Sequence, residues 1–276
     1  MSKPSPADSP IEIVRPPLPR GRIRAVLLDF DGTLSLLRRG WTQVMIPLMV
    51  EVLQSTATDE SPETLAARVE EFVMRLNGRQ TIHQMAHLAE EVKKRGGTPL
   101  DPLEYKHQYH DRLWKRVAPR LESLEQGRVS PEELTVPGAR RLLETLAARG
   151  LPLYLASGTD LNYVRDELQA LRLDHFFDPH IYGALDDHRN FSKAMIIEKI
   201  IQETGASGPE LLAFGDGFVE IEETRRVGGV AIGVASEEET RRGVNAWKRS
   251  RLIEAGADVI IGDYRRHAEL LDLLGL

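Results

Sequence analysis

The stretch Leu27-Leu28-Asp29-Phe30-Asp31-Gly32-Thr33-Leu34 places two carboxylates directly after an apolar run that begins at residues 25–26. Such a run is typical of a fully buried strand in a parallel sheet. Charged groups just past the end of such a strand lie in the crevice where open α/β sheets bind their ligands. Because Gly32 allows a tight bend, Asp29 and Asp31 can offer oxygen atoms to one point, as a divalent cation requires. Asp29 is therefore a candidate nucleophile or metal ligand, although the same residues could form an ordinary acidic turn.

Composition limits the classes of protein to consider. The chain has 276 residues, enough for one large or two modest domains, and no cysteine, which excludes disulfides and thiolate chemistry. Its net charge of −6 gives no general reason to bind nucleic acid or an anionic membrane. No apolar run reaches the roughly 20 residues that span a bilayer, and no secretory signal pattern is present. We therefore expect a soluble, cytoplasmic enzyme whose metal ligands are oxygen or imidazole.

The chain changes character twice along its length. Six prolines among the first 20 residues disfavour helix and central strand, which predicts a flexible or extended tail over residues 1–21. Residues 36–135 have apolar side chains at helical spacing, at 44–53, 65–76, 82–92 and 103–124, and predict an all-helical block.

From residue 138 onward, amphipathic helices alternate with short apolar runs. This alternation is typical of an α/β fold, a parallel sheet with helices on both faces. The strand at 26–28 must join that sheet, so residues 22–35 and 136–276 form the predicted core. The helical block is then an insertion, placed where it could cover the site as a lid. The predicted strands are 151–156, 180–182, 211–214, 230–234 and 259–261, and the predicted helices are 140–148, 161–171, 194–203, 221–226, 241–254 and 264–274.

Polar groups follow other predicted strands. At Ser157-Gly158-Thr159-Asp160, hydroxyl and N–H groups would meet at a helix N-terminus and could bind an anion such as phosphate. Asp216 follows the predicted strand 211–214, with Glu220 one helical turn later, and such like charges are costly unless a cation joins them. Lys193 near a helix start opposes the helix dipole, which suggests an anionic partner. Each feature alone could be an ordinary turn or cap.

In their order, spacing and position at strand ends, these elements together resemble the haloacid dehalogenase superfamily of phosphatases and phosphotransferases. Asp29-Phe30-Asp31-Gly32-Thr33 is similar to the first motif of that superfamily, Ser157 to the second and Lys193 to the third. Asp216 with Glu220 is similar to the acidic fourth motif. The resemblance implies a Rossmannoid sheet with helices on both faces. It also implies that the helical insertion is a C1-type cap, as in phosphoglycolate-phosphatase-like members.

This resemblance implies a Mg²⁺-dependent phosphatase that acts on a small phosphorylated metabolite. Asp29 would attack phosphorus to form an aspartyl-phosphate, and Asp31 would protonate the leaving alkoxide and later deprotonate water. Mg²⁺ would be held by the Asp29 carboxylate, the Asp31 carbonyl and Asp216, with Glu220 supporting the site from behind.

Phosphoryl oxygens would be bound by Ser157, by the N–H groups that follow it, including that of Gly158, and by Lys193. Arg189 is an alternative cation, because no distinctive motif surrounds Lys193.

Other activities are compatible with part of this pattern. Relatives that cleave carbon–halogen bonds need no acid or base at the position of Asp31, which disfavours a dehalogenase. A sugar-phosphate mutase or phosphotransferase of the same superfamily uses the same aspartate pair and remains an alternative. A phosphoaspartate signalling or binding protein also combines acidic strand ends with a hydroxyl and a lysine, but such domains are much shorter.

Substrate choice is expected to reside in the helical insertion. Its most polar loop runs from Asn77 into a predicted amphipathic helix, and Arg79, Gln80 and His83 are candidate substrate contacts. An ordinary helix cap with a solvated face would give the same pattern.

Overall fold

A computed structural model describes residues 10–18, 22–185 and 191–276. Its strands are β1 (Glu12–Ile13), β2 (Ala25–Leu28), β3 (Leu153–Asp160), β4 (Ile181–Ala184), β5 (Leu211–Gly215), β6 (Val230–Val234) and β7 (Val259–Ile261). They form one sheet in the order β1-β7-β6-β5-β2-β3-β4. All neighbours pair in parallel except β1 and β7, so the predicted α/β fold is confirmed.

Four helices lie in the inserted segment and six in the remainder of the described chain. The first group comprises α1 (Thr42–Gln54), α2 (Pro62–Arg75), α3 (Thr81–Lys94) and α4 (Pro102–Glu125). The second comprises α5 (Ala139–Ala148), α6 (Leu161–Ala170), α7 (Lys193–Thr204), α8 (Phe218–Arg226), α9 (Ala246–Ala255) and α10 (His267–Leu274).

Alternate residues of β2 pack on opposite faces of the sheet. Val26 and Leu28 belong to a buried cluster with apolar side chains of α5, α6 and α10. Ala25 and Leu27 belong to a second cluster with side chains of α7. A strand covered on both faces has no solvent side, which explains why β2 is a continuous apolar run rather than an alternating one.

The position of β2 determines where its carboxylates lie. In the parallel ladders, Leu28 pairs with Leu155 of β3 and with Phe214 of β5. The N–H of Asp29 donates to the carbonyl of Phe214 at 3.0 Å, which continues the ladder by one residue. The chain segments that follow β2 and β5 and the end of β3 therefore meet at one edge of the sheet, as predicted for strand ends of an open α/β fold.

Part of the tail that was predicted to be flexible or extended forms the edge strand β1. Glu12 and Ile13 pair antiparallel with β7, and the N–H of Val14 donates to the Asp258 carbonyl at 2.8 Å. Arg249 of α9 makes a two-nitrogen ion pair with Glu12. An edge strand needs hydrogen bonds on only one side, so a short run between prolines can form one even in a proline-rich segment.

Two predicted helices begin later in the structure than in the prediction. The predicted helix 241–254 begins only at Ala246, because Arg241 has a positive φ of 55° and Asn245 caps the helix by accepting the Lys248 N–H. Near the C-terminus, the predicted helix 264–274 begins three residues late, at His267.

By compactness the described residues divide into two units. The larger comprises the described residues up to Arg39 together with Leu121–Leu276, and the smaller comprises Gly40–Arg120. Residues 36–39 and 121–135, predicted as part of the insertion, thus belong to the larger unit. The reason is burial: Leu36, Leu37 and Leu134 lie in the core cluster of the sheet.

The smaller unit has its own core and polar ties. Apolar side chains of its four helices are buried, and Phe72 of α2 contacts the His87 ring of α3 at 4.6 Å between centroids. Gln84 donates to the Val73 carbonyl at 3.1 Å, and Arg95 pairs with both Glu60 and Glu91. None of the helices within residues 10–18, 22–185 and 191–276 combines the length and the hydrophobicity that a membrane span requires.

Candidate active site

Lys193 connects the carboxylates that follow β2 and β5. It is the first residue of α7, whose N-cap Ser192 accepts the N–H of Met195. The Lys193 Nζ donates to Asp29 Oδ1 at 2.6 Å and to Glu220 Oε2 at 2.7 Å. The other Glu220 oxygen accepts the Gly217 N–H at 2.7 Å, so both oxygens of this carboxylate are engaged.

Burial dominates the electrostatics of this cluster. The side chains of Asp29, Lys193 and Glu220 are at most 7% exposed. Burial raises the pKa of Asp29 well above its usual range; Lys193 opposes this shift, and the charge of Glu220 adds to it. Burial would lower the pKa of Lys193, but the carboxylates of Asp29 and Glu220 reverse that effect and raise it. Lys193 is therefore a permanent ammonium in an acidic cluster.

Three carboxylates of this cluster can face one ion. Asp29, Asp216 and Glu220 each offer a ligand atom, and these atoms lie within 4.8 Å of one another. Burial raises the pKa of Asp216 to about 6, with Lys248 opposing the shift and nearby carboxylates adding to it. A buried, oxygen-only donor set with surplus negative charge suits a hard divalent cation such as Mg²⁺.

Asp31 lies in a different environment from Asp29. Its Oδ2 accepts the Thr159 hydroxyl at 2.8 Å and the Ser157 hydroxyl at 3.4 Å. Its Oδ1 is buried without a hydrogen-bond partner in the described part of the chain. Burial raises the pKa of Asp31, although Arg38 and the hydrogen bonds from Thr159 and Ser157 oppose the shift. A carboxyl whose surroundings favour its neutral form is suited to carry a proton.

Behind Asp31 lies a buried ion pair that the sequence pattern did not predict. Arg38 donates to Glu167 Oε1 through Nε at 2.9 Å and through NH2 at 2.7 Å. The Nε atom is also 3.8 Å from Asp31 Oδ1. Arg38 is close in sequence to Asp31, but Glu167 lies on α6, and only the fold brings the two together.

The segment after Ala156 differs from the prediction because it is still part of a strand. β3 continues to Asp160 with a register shift between Ala156 and Asp160, and α6 begins at Leu161, as predicted. The Thr159 N–H donates to Ser157 Oγ at 3.0 Å, so this amide is already engaged locally. Ser157 is 1% exposed and Gly158 lies in the same irregular segment. Phosphate binding by Ser157 and Gly158 stays a prediction.

Two further groups near Asp216 escaped sequence reasoning. Lys248 Nζ lies 2.8 Å from Asp216 Oδ2, and Ser236 donates to the Gly32 carbonyl at 2.6 Å. The sequence does not indicate that Lys248 lies near the strand ends, because the predicted helix 241–254 places it in the middle of a helix and not in the first turn, where it is observed. Ser236 could have been found, since it follows β6, whose carboxyl end also faces the crevice.

The other predicted contacts lie in the smaller unit or outside the described residues. Gln80 is the buried N-cap residue of α3, His83 lies in the first turn of that helix, and Arg79 is exposed just before it. Substrate contact by these side chains stays a prediction. The alternative cation Arg189 lies outside the described residues.

Gly32 allows the close approach of the Asp216 carboxylate. It has a φ of +73°, and a Cβ there would collide with Asp216 Oδ2. We expect Gly32→Ala to displace the Asp216 carboxylate and to reduce the rate of catalytic turnover on the order of 10–100-fold. Gly150→Ala is the matched control, because Gly150 has a φ of +70° with no atom near a built Cβ.

Both substitutions place an alanine at a positive φ, which lowers the free energy of unfolding by about 1 kcal/mol in each variant. Thermal unfolding would measure this shared loss of stability. Equal activity of the two variants would contradict the role assigned to Gly32.

The buried Glu167 carboxyl should make the free energy of unfolding depend on pH. Burial raises its pKa to about 7 from an ordinary value of 4.5, with Arg38 opposing the shift and Asp31 adding to it. Between about pH 4.5 and pH 7, Glu167 is protonated in the folded chain but ionised in the unfolded chain. Its contribution to the free energy of unfolding therefore falls as pH rises from about 4.5 to about 7. The full loss is about 3 kcal/mol.

Glu167→Gln should flatten this fall, because the amide does not titrate and can still accept from Arg38. Urea unfolding of both proteins at pH 5 and pH 8 measures the effect. An unchanged difference between the two pH values in the variant would contradict it.

Comparison with known proteins is consistent with this arrangement. The sequence profile of haloacid dehalogenase-like hydrolases matches residues 23–228. No curated protein sequence matches the chain.

Solved structures show the same fold. A conserved haloacid dehalogenase-like protein of unknown function from Agrobacterium tumefaciens is 20% identical, with a TM-score of 0.61 over 92% of this chain and 100% of its own. A predicted phosphoglycolate phosphatase from Haemophilus somnus is 15% identical, with a TM-score of 0.59 over 91% and 98%. A β-phosphoglucomutase from Clostridium difficile is 14% identical, with a TM-score of 0.54 over 84% and 98%. With a family profile that spans most of its length and a carboxylate cluster at the expected sheet edge, this chain belongs to the haloacid dehalogenase-like hydrolases.

Proposed function

We propose that this hydrolase is a Mg²⁺-dependent phosphatase that acts on a small phosphate monoester through a phosphorylated Asp29. The observation that carries the proposal is the contrast between Asp29 and Asp31. Asp29 accepts a 2.6 Å hydrogen bond from the Lys193 ammonium, lies beside two further carboxylates and accepts the Thr33 hydroxyl at 3.3 Å. Asp31 accepts hydrogen bonds from two hydroxyl groups, and Arg38 Nε lies 3.8 Å away, outside hydrogen-bond distance. Two carboxylates in different environments support two different roles.

In the first half-reaction, an Asp29 oxygen forms a bond to phosphorus while the ester P–O bond breaks. Asp31 gives its proton to the leaving alkoxide, which departs as the alcohol. The raised pKa of Asp31 supports this step, because the group must be protonated when it starts. Burial raises the pKa of Asp29 as well, but the Lys193 ammonium at 2.6 Å favours the anionic form that a nucleophile needs. In the second half-reaction, Asp31 takes a proton from water, water oxygen bonds to phosphorus, and the Asp29 carboxylate is released with inorganic phosphate.

A bound Mg²⁺ would neutralise charge between the anionic nucleophile and the anionic phosphoryl group. Asp29, Asp216 and the Asp31 carbonyl are the proposed ligands. Glu220 is proposed to support the site from behind, since its two oxygens engage Lys193 and the Gly217 N–H.

Lys193 is proposed to stabilise the charge that develops on the phosphoryl oxygens. Its ammonium is fixed by Asp29 and Glu220, so it would need little reorganisation when charge develops. Ser157 and the Gly158 N–H are proposed to bind the same oxygens. For Ser157, this role requires its hydroxyl to turn away from Asp31 when substrate binds.

The smaller unit is proposed to serve as the cap that selects the substrate, with Arg79, Gln80 and His83 as candidate contacts. A cytoplasmic location is proposed as well, and the absence of cysteine supports it.

The alternative of a sugar-phosphate mutase uses the same aspartate pair, and a solved structure of similar fold is named as a β-phosphoglucomutase. A non-enzymatic phosphoaspartate signalling or binding protein would lack turnover.

Hydrolysis of p-nitrophenyl phosphate by the purified chain tests the proposal. We expect turnover that requires Mg²⁺, is abolished by EDTA and returns on addition of excess Mg²⁺. A panel of phosphorylated metabolites then identifies the substrate class, and transfer of phosphate to a sugar phosphate instead of water would indicate a mutase. Absence of turnover with p-nitrophenyl phosphate and with the whole panel would contradict the proposal.

A further inference from the structure

Lys248 is a buried cation that the proposed chemistry does not use. It lies in the first turn of α9, and its side chain is 10% exposed. Its Nζ is 2.8 Å from Asp216 Oδ2, 2.7 Å from Glu238 Oε1 and 3.1 Å from Ser236 Oγ. Three oxygen atoms, one from Asp216 and two from residues 236–238, therefore surround one ammonium group.

The backbone fixes where this ammonium lies. Asn245 caps α9 by accepting the Lys248 N–H at 3.0 Å, so the first turn of the helix has a defined start. Carboxylate oxygens of Asp216 and Glu238 lie 2.8 Å and 2.7 Å from the Lys248 Nζ. The side chain is therefore a charged, tethered cation, unlike an exposed lysine that samples many rotamers.

The same group reaches the loop that carries the proposed nucleophile. Ser236, which contacts Lys248, donates its hydroxyl to the Gly32 carbonyl at 2.6 Å. Gly32 lies three residues after Asp29, and a Cβ on it would meet both Asp216 and Lys248 Nζ. One continuous set of contacts thus joins Asp216, Lys248, Ser236 and the backbone of that loop.

We propose that Lys248 is a positioning residue that holds the Asp216 carboxylate and, through Ser236, the Gly32 loop in the arrangement that binds the divalent cation. The inference rests on the proposed function, because it concerns the metal ligands named there. Lys248 acts through Asp216 and is not assigned contact with substrate.

This role differs from that of a competing cation in a measurable way. An ammonium that merely opposes the metal charge would, when removed, leave a site that binds Mg²⁺ more tightly. An ammonium that orients a ligand would, when removed, leave a site that binds Mg²⁺ about 10-fold more weakly, as is common for groups that hold metal ligands in place.

Isothermal titration calorimetry of the substrate-free protein with MgCl₂ distinguishes these two cases, because it measures the Kd for Mg²⁺ and not activity. For Lys248→Met we expect a Kd for Mg²⁺ about 10-fold higher than that of the unmodified chain, with partial recovery in Lys248→Arg. Lys199→Met is the matched control. Lys199 is an exposed lysine on α7 that pairs with Glu203 at 3.7 Å, and its loss should leave the Kd unchanged.

A second variant covers the possibility that Lys248→Met fails to fold because it leaves buried carboxylates without a cation. The double variant Lys248→Met/Glu238→Gln removes one positive and one negative charge, so the net charge of the cluster is kept. It should still bind Mg²⁺ about 10-fold more weakly, because Asp216 has lost its anchor.

The same variants give a second readout once turnover is established. We expect the Mg²⁺ concentration for half-maximal rate to rise about 10-fold, while KM for p-nitrophenyl phosphate at saturating Mg²⁺ stays unchanged. Equal or tighter Mg²⁺ binding by the folded variants would overturn the role of Lys248 and leave the proposed function intact. Failure of the unmodified chain to bind Mg²⁺ would contradict both.

Discussion

Asp29→Asn is expected to lower the turnover of p-nitrophenyl phosphate by on the order of 10⁴-fold, the scale seen when a covalent nucleophile is lost. The amide oxygen can still accept a hydrogen bond from Lys193, which is 2.6 Å from Asp29 in the native chain. It is a poor nucleophile and a weak metal ligand, because it has no negative charge. The variant should therefore lose chemistry rather than fold.

Steady-state rates with a circular dichroism melt for each protein measure this prediction. Asp272→Asn is the matched control, since it makes the same chemical change at an exposed position on α10. Its rate should equal that of the unmodified chain. Undiminished turnover by Asp29→Asn would eliminate Asp29 as the nucleophile.

Asp31→Asn is expected to affect the two half-reactions differently, depending on the leaving group. An alkyl phosphate such as β-glycerophosphate needs a proton on its departing oxygen, so both half-reactions should slow, on the order of 10²–10⁴-fold. p-Nitrophenolate departs readily without a proton, so the first half-reaction should persist. The second still needs a base, and the phosphorylated enzyme should accumulate.

Stopped-flow absorbance measures this difference directly. With p-nitrophenyl phosphate, Asp31→Asn should release a rapid burst of one nitrophenolate per active site, followed by slow turnover. The unmodified chain should show no such burst, because its second half-reaction is fast. A variant that slows both substrates equally and shows no burst would contradict the role of Asp31 as acid and base.

Much of the fold could be predicted from the sequence, because local patterns agree with tertiary packing there. The strands β2, β5, β6 and β7 are short apolar runs covered on both faces, and the same runs are visible in the sequence. The edge strand β1 was not predicted because it depends on long-range contacts. β1 is held by the edge of β7 and by the Glu12–Arg249 ion pair, neither of which leaves a local signal.

The candidate site also combines residues that local sequence patterns indicate with residues that only long-range contacts reveal. Asp29, Asp31 and Asp216 could be located because carboxylates after buried strands are uncommon and parallel strand ends share one edge of the sheet. Arg38 and Lys248 could not be located, because their partners Glu167 and Asp216 are distant in sequence. A charged residue is usually solvated, and only the packed structure shows which ones are buried.

Chemical trapping of the intermediate tests the proposed mechanism most directly. Asp31→Asn protein is mixed with p-nitrophenyl phosphate and Mg²⁺, quenched in acid and treated with borohydride, which reduces an acyl phosphate to an alcohol. Peptide mass spectrometry should then find homoserine at position 29, and none in the Asp29→Asn/Asp31→Asn double variant. An unmodified Asp29 in protein that has released its burst of nitrophenolate, or reduction at another carboxylate, would contradict covalent catalysis by Asp29.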